Sequence, residues 1–201
     1  MSRLRCHISI SLDGYVAGPD QSLEQPLGRR GRELHSWHID EPLNEADARA
    51  RDLLLRPRGA YVMGRNMFGP VRGPWKEEWR GWWGEEPPYH APVYVLTHYP
   101  REPLEMDGGT TFHFVTEGPE EALRRAVEAT HNDQVSICGG ASTINQFLRA
   151  GLIDELRLHV APVVLGRGES PFAGLDDFPF EMAASRASGL VTHITLKRTG
   201  S

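Results

Sequence analysis

Residues 135–144 carry the pattern with the clearest chemical meaning in this sequence. A short apolar run, residues 135–138, meets Gly139 and Gly140 and is followed at once by a predicted helix. Glycines allow a ligand to approach the backbone, and the free N–H groups of a first helical turn bind anions. The pattern therefore suits a phosphate or pyrophosphate group, and a tight strand-to-helix turn without a ligand explains it about as well. It matches neither the GxGxxG motif nor a P-loop, which would carry a lysine here.

Two other predicted strand ends offer polar groups for the same ligand. Gly64, Arg65 and Asn66 follow a short apolar run and combine open backbone with one guanidinium, a group that binds phosphate well. Thr97 and His98 end another apolar run and add a hydroxyl and an imidazole. Ligands collect at the carboxyl ends of parallel strands, so in a parallel sheet these groups would share one edge.

Two carboxylates are candidates for work on a substrate. Asp13 precedes Gly14, so it either forms an Asp-Gly turn or presents a carboxylate at the mouth of a site. Glu169 lies in the glycine-containing segment 166–172 and has the same two interpretations.

The histidines give no metal site by sequence. His35 and His38 have the residue type and close spacing of metal ligands, but no third ligand is evident, and the chain has nine histidines. We therefore predict no bound metal, and a metal hydrolase built on this pair stays a minor alternative.

Four of the five tryptophans lie in residues 75–83, called here the tryptophan segment. Gly81, Gly84 and a Pro-Pro pair argue against a long helix there. We interpret the rings as loop aromatics that cover a core edge or a subunit contact, with a wall for a flat heterocycle as the alternative.

Composition excludes several classes of protein. The chain has 201 residues and a formal net charge of −5, which argues against a general nucleic-acid binder. No apolar run is long enough for a membrane span, and we expect no secretory signal. Cys6 and Cys138 lie in apolar runs, which favours two buried thiols and a cytoplasmic location. With no internal linker evident, we predict one domain, residues 1–201.

Local patterns predict the elements that would position these groups. Residues 4–12 alternate apolar and polar side chains, the pattern of a strand with one buried face. Asn44 is suited to cap a helix whose buried end would be residues 53–55, and Ser142 to cap a helix over 142–150. The other predicted elements are strands at 60–63, 93–97, 111–115, 135–138 and 156–165, a helix from Pro119, a helix stop at Gly151, and a hairpin of strands at 179–186 and 191–198. This succession, closed by an antiparallel hairpin, predicts an α/β fold.

The ordered set of motifs resembles the dihydrofolate-reductase-like superfamily, in the branch related to the reductase domain of bifunctional riboflavin-biosynthesis enzymes. The segments that carry the resemblance are 11–18, 63–69, 92–97, 139–142 and 151–166. The resemblance implies a mixed, mainly parallel sheet flanked by helices, NADPH as hydride donor and a homodimer. The cofactor-binding residues that it implies are Ala17, Gly18, Gly64, Arg65, Asn66, Thr97, His98, Gly139, Gly140, Ala141, Ser142 and Thr143.

These residues divide by the part of the cofactor that they would hold. By similarity, residues 64–66 with Thr97 and His98 would bind the adenosine end and its 2′-phosphate. Residues 139–143 would cradle the pyrophosphate, and the loop 13–18 would lie over the nicotinamide.

On the substrate side, Tyr15 stands where the riboflavin-pathway enzymes usually carry a lysine, which would suit a ribose phosphate. Glu169 lies in a segment similar to their substrate-side glutamate region. We therefore expect Tyr15 and Glu169 to contact substrate, and Asp13 or a water to supply the proton. The resulting hypothesis is an NADPH-dependent reductase of a pyrimidine- or pterin-like heterocycle, resembling 5-amino-6-(5-phosphoribosylamino)uracil reductase. A true dihydrofolate reductase and a nucleotide-binding protein without turnover are the alternatives.

Overall fold

The fold places a nine-stranded mixed sheet at the centre of the residues described by the computed structural model, which are 4–56, 58–69, 73–75, 78–130 and 134–200. The strands are β1 Leu4–Ser11, β2 Ala60–Gly64, β3 Pro92–Leu96, β4 Leu104–Glu105, β5 Thr111–Val115, β6 Val135–Gly139, β7 Glu155–Ala161, β8 Phe180–Ala187 and β9 Thr192–Arg198. The helices are α1 Ser36–Ile39, preceded by a 3-10 turn at Gly31–His35, α2 Glu45–Leu55, α3 Arg65–Phe68, α4 Pro119–Ala129 and α5 Ala141–Arg149, with a further 3-10 turn at Asp107–Gly109.

Strand order confirms the predicted α/β architecture. The order is β4-β5-β3-β2-β6-β1-β7-β9-β8, and the six strands from β5 to β7 in this list run parallel. β4 pairs antiparallel at one edge, and the β8–β9 hairpin pairs antiparallel with β7 at the other. β1 therefore lies inside the sheet, between β6 and β7.

The single buried face predicted for the first strand is wrong. His7, Ser9 and Ser11 are buried along with Leu4, Cys6 and Ile10, whereas Leu12 lies beyond the strand and is 63% exposed. An interior strand of a parallel sheet is covered on both faces, so its polar residues are buried as well as its apolar ones.

Helix ends agree with the sequence in part. Asn44 caps α2, since its side chain accepts a hydrogen bond from Asp47 N, but the predicted buried end is wrong: Leu55 is 52% exposed, and Asp47 and Ala50 are the buried positions. Ser142 does not cap α5. That helix starts one residue earlier, after Gly140, and no side-chain cap bond forms. Gly151 follows its end at φ 63°, as predicted for a helix stop.

The strand predicted over 156–165 ends at Ala161. Pro162 has no N–H to donate to a neighbouring strand, and β9, the antiparallel partner, reaches only to the position opposite Val160. The hairpin is confirmed, and β8 forms an outer edge of the sheet with every residue after Phe180 exposed.

The tryptophan segment covers a core edge, as interpreted from the sequence. Trp75, Trp79 and Trp83 pack against a cluster that includes Phe68 and Phe112 beside β2, β3 and β5. The described residues of this segment contain no helix. Within the described part of the chain, no helix is long and apolar enough to span a membrane.

Candidate functional site

The predicted site residues gather at one edge of the sheet. β3, β2, β6 and β1 lie side by side in this order and run parallel, so their carboxyl ends at Leu96, Gly64, Gly139 and Ser11 face the same way. β6 lies between β1 and β2, which brings Gly139 to the middle of that edge. Such an edge is where open α/β sheets bind ligands.

Gly64 packs so closely on the start of α5 that a side chain would not fit. A Cβ there would clash with Thr143 Oγ1 and would lie 3.4 Å from the backbone at Gly139 O and Gly140 N. By contrast, a Cβ on Gly140 would meet nothing within 4 Å. The absence of a side chain at Gly64 thus lets β2 approach α5 closely, while the space in front of Gly140 stays open.

The first turn of α5 presents backbone donors to this open space. Ala141, Ser142 and Thr143 are its first three residues, whose N–H groups have no partner within a helix. Because Gly140 provides no side-chain cap, these groups are suited to bind the oxygens of an anion.

Arg65 lies at the end of β2 with an unusual environment for a cation. Its guanidinium carbon is 3.3 Å from the ring centroid of Trp75, and its Nε is buried without a hydrogen-bond partner. Burial, followed by the nearby charge of Arg101, lowers the pKa of Arg65 to about 10. The guanidinium stays protonated at neutral pH and forms no ion pair with a carboxylate of the described residues, so it is suited to bind an anion.

The end of β3 contributes less than the sequence predicts. Thr97 is buried, and its Oγ1 accepts a hydrogen bond from Tyr99 N at 3.2 Å, so the hydroxyl shapes the turn. His98 is exposed at the same edge. Trp75 Nε1 donates to Tyr99 O at 2.9 Å and so ties this turn to the ring beneath Arg65.

Asp13 fastens two loops together. Its carboxylate accepts hydrogen bonds from Ser11 Oγ at 2.6 Å, Leu165 N at 3.1 Å and Gly166 N at 2.6 Å. These bonds, that of Ser11 foremost, lower the pKa of Asp13, so the carboxylate is ionised at neutral pH. This geometry supports the turn-forming interpretation of Asp13 rather than a proton-donating one.

The role of Asp13 can be tested without any assumption about activity. In Asp13→Ala the amides of Leu165 and Gly166 lose their acceptor, and we expect their hydrogen exchange to accelerate while the core strands keep their protection. Glu24→Ala, which removes an exposed carboxylate bonded to Ser22 and not to the loop 162–169, is the matched control. Unchanged exchange at both amides in Asp13→Ala would contradict a loop-fastening role.

A cleft of about 250 Å³ joins residues predicted from separate motifs. Gly18, Asn66 and Glu169 line it, together with residues of the loop after Gly18. Those additional residues are Pro19, Asp20, Gln21 and Pro26. The cleft is large enough for a small ring system but not for a whole dinucleotide.

Two backbone segments form the wall of this cleft. Val16 N donates to Glu169 O at 2.9 Å, and Glu169 N donates to Ala17 O at 3.0 Å, an isolated antiparallel pairing. Tyr15 is half-buried beside this pairing, and its N–H donates to Ser11 Oγ. Ala17 is buried in the wall, and neither Tyr15 nor Asp13 is among the residues that line the cleft.

His35 and His38 form a contact with each other, with Nδ1 and Nε2 3.0 Å apart. Across the described residues, no group of three potential ligands is arranged to hold a metal ion. The structure thus offers no support for the metal-hydrolase alternative.

The family model of the RibD C-terminal domain matches residues 3–193. The chain belongs to the RibD C-terminal domain family. The dihydrofolate-reductase-like fold expected from the resemblance is therefore confirmed, and the sheet described above agrees with it.

Individual relatives and structures are consistent with this family. The chain is 31% identical over 182 residues to the uncharacterized protein YyaP of Bacillus subtilis, covering 85% of this chain and 80% of that protein. A putative riboflavin biosynthesis protein from Shewanella sp. PV-4 has a similar structure, with a TM-score of 0.65, 24% identity and 99% of both chains covered. The deaminase/5-amino-6-(5-phosphoribosylamino)uracil reductase of Thermotoga maritima aligns with a TM-score of 0.57 and 15% identity, over 98% of this chain and 56% of that one.

Three site residues of this RibD-type domain have no signal in the sequence. Trp75 and Arg101 lie beside Arg65, and Asp20 lines the cleft. No motif marks them, because their roles depend on loops that come together only in the folded chain. The concentration of tryptophans in residues 75–83 is the indication in the sequence that this segment packs rather than extends.

Proposed function

We propose that this RibD-family chain is an NADPH-dependent reductase of a small, pyrimidine- or pterin-like heterocycle. The observation that carries the proposal is the single sheet edge at which the uncapped start of α5, the guanidinium of Arg65, which has no ion pair among the described residues, and the cleft beside Gly18 occur together. When bound, NADPH supplies the hydride.

The described residues fit such a cofactor. The N–H groups of Ala141, Ser142 and Thr143 would hold the pyrophosphate above the open face of Gly140. Arg65 would hold the 2′-phosphate through its guanidinium, which forms no ion pair with a carboxylate among the described residues. Ala17 and Gly18, in the paired wall of the cleft, would cover the nicotinamide.

The cleft favours a substrate that donates hydrogen bonds. Asp20 and Glu169 line it as acceptors, and the described lining residues include no lysine or arginine. Arg29 and Arg167, the cations nearby, both pair with Asp20, at 3.8 Å and 3.6 Å. An amino-substituted ring would therefore be bound more readily than a ribose phosphate, consistent with Tyr15 in the place of a lysine.

We further propose that the proton comes from water. Asp13 is ionised and occupied by three hydrogen bonds, so it would act by holding the loops that shape the cleft. Glu169, which faces the cleft, would orient the substrate or that water. The homodimer and the cytoplasmic location stay predictions.

The first test is binding and oxidation of NADPH. We expect the purified chain to bind NADPH, measured by calorimetry, and to oxidise it with at least one member of a panel of aminopyrimidines, reduced and oxidised pterins and small carbonyl compounds. Arg65→Met should weaken NADPH binding about 10- to 100-fold, since a hydrogen bond to a charged group contributes about 1.5–3 kcal/mol. Arg124→Met, at an exposed position on α4, is the matched control.

The outcomes separate the proposal from its alternatives. Turnover confined to dihydrofolate would instead identify the chain as a true dihydrofolate reductase. Tight NADPH binding without oxidation across the panel would instead identify the chain as a nucleotide-binding protein without turnover. Failure to bind either NADPH or NADH would refute all three.

A further inference from the structure

Two arginines share the ring of Trp75. The guanidinium carbon of Arg65 is 3.3 Å from the ring centroid, and that of Arg101 is 4.9 Å from it. Arg101 is also 5.1 Å from the centroid of Phe114 and 5.9 Å from that of Phe68. Two like charges are thus held together on one aromatic cluster, which is unfavourable unless something negative is bound beside them.

The carboxylates of the described residues do not neutralise this pair: Glu78 is close enough to raise the pKa of Arg101, but this offsets the lowering only in part. Among the described residues, neither guanidinium forms an ion pair with a carboxylate; Arg101 donates to Trp79 O at 2.6 Å, and Arg65 Nε has no partner. Arginines elsewhere, such as Arg124 and Arg125 on α4, are paired with glutamates. Some other arginines also form no ion pair, but among the described residues Arg65 and Arg101 are the two that stack on aromatic rings.

The lowered pKa values of both arginines agree with a pair of cations that lacks a bound anion. Burial, followed by repulsion from Arg80, lowers the pKa of Arg101, and Glu78 offsets this only in part. The pKa of Arg65 is lowered by burial and then by Arg101 itself. A dianion bound beside the two guanidinium groups would offset both the cost of burying them and the repulsion between like charges.

The location indicates which anion this is. Arg65 follows β2, and the hydrogen bond from Trp75 Nε1 to Tyr99 O joins the ring to the turn after β3. Arg101 ends that turn, so both guanidinium groups lie where the adenosine end of the cofactor is proposed to bind. A phosphate monoester there carries close to two negative charges, whereas the unphosphorylated cofactor presents only a neutral hydroxyl.

We propose that Arg101 is a specificity-determining residue that, stacked with Arg65 on Trp75, selects a 2′-phosphorylated dinucleotide over its unphosphorylated counterpart. This inference rests on the proposed function, because it assigns a role toward the same cofactor. In this proposal the tryptophan segment does more than cover the core, because Trp75 positions two guanidinium groups to bind one phosphate.

The experiment compares four ligands by calorimetry: NADPH, NADH, 2′,5′-ADP and 5′-ADP. Arg101→Gln should weaken binding of NADPH and 2′,5′-ADP about tenfold or more, and change binding of NADH and 5′-ADP less than about twofold. Arg101→Lys keeps the charge and should retain part of the preference. Arg80→Gln removes a neighbouring charge that pairs with Glu85, and should leave all four affinities unchanged.

Two results would overturn the inference while leaving the proposed function intact. One is a loss of NADPH and NADH affinity by the same factor in Arg101→Gln, which indicates a packing role. The other is an unchanged preference for NADPH over NADH in a variant that melts like the wild type. If the wild-type chain binds neither NADPH nor 2′,5′-ADP, the proposed function itself is wrong.

Discussion

Lowering the pH from 7 to 5 is expected to reduce the free energy of unfolding by about 4 kcal/mol through two buried histidines, His7 and His35. Burial is the first cause that lowers the pKa of each, from 6.5 to about 3 for His7 and to about 4 for His35. Below pH 6.5 the unfolded chain binds protons at both positions, and the folded chain does not until the pH approaches the folded values. Each group therefore costs about 1.4 kcal/mol per pH unit in that window, or about 2 kcal/mol at pH 5.

The surroundings of these histidines reinforce the effect. His7 faces Arg157, Arg58 and Arg5, whose charges further oppose its protonation, and neither ring nitrogen of His7 has a hydrogen-bond partner. His159, next to His7, has its pKa lowered by burial as well and adds to the loss in the same direction. Asp47 lies in the same region, with His193 Nε2 2.9 Å from its Oδ1. Since native domains are stable by about 5–15 kcal/mol, the chain should unfold between about pH 4 and 5.

Urea titrations between pH 5 and 7.5, followed by tryptophan fluorescence, measure this slope. His7→Leu keeps the position apolar and removes one titrating group, so stability should fall less steeply on acidification. His98→Gln removes an exposed imidazole and serves as the control, with the wild-type slope expected. An identical slope in His7→Leu and wild type would falsify the assignment of acid sensitivity to His7.

Gly64→Ala is expected to have the second large effect, on both folding and cofactor binding. The new methyl group would clash with Thr143 Oγ1, so either the Thr143 side chain must turn away or β2 and the start of α5 must separate. Overpacking of this kind costs about 1–3 kcal/mol. Because Thr143 lies in the turn proposed to hold the pyrophosphate, the affinity for NADPH should fall along with the melting temperature.

A double-mutant cycle isolates the contact. Thr143→Ala removes the atom that the new methyl group meets, so Gly64→Ala/Thr143→Ala should recover most of the stability lost in Gly64→Ala, with a coupling of about 1 kcal/mol or more. Gly189→Ala adds a methyl group in open space and is the control. Strict additivity of the two substitutions would show that the predicted clash does not determine the effect.

Much of the sheet could be predicted because strands are encoded locally. The alternation in residues 4–12 identified β1, yet it suggested one buried face, since alternation reports side-chain direction and not what the neighbouring strands and helices later cover. The start of α5 was misplaced for a related reason. Ser142 has a capping side chain, but the close approach of Gly64 to Thr143 is consistent with a helix that begins directly after Gly140.

The site was predictable where backbone carries the chemistry, and not where distant side chains meet. Gly139 and Gly140 stand out in the sequence because a strand, two glycines and a helix follow one another. Trp75 and Arg101 do not, since their contact depends on how the tryptophan segment folds over β3. Glu169 and Asn66 line one cleft together with the loop after Gly18, although the three segments are far apart in the sequence.

Two loops of this domain are joined to each other. Ala17 pairs with Glu169 through the backbone, and Leu165 N and Gly166 N donate hydrogen bonds to Asp13. Surface loops ordinarily change length freely from one protein to the next. Here the loops 13–18 and 162–169 are fastened at two places, so an insertion in either would displace the other and reshape the cleft. A change in substrate could therefore arise from a change of loop length in 162–169, far along the chain from the glycines that would hold the cofactor.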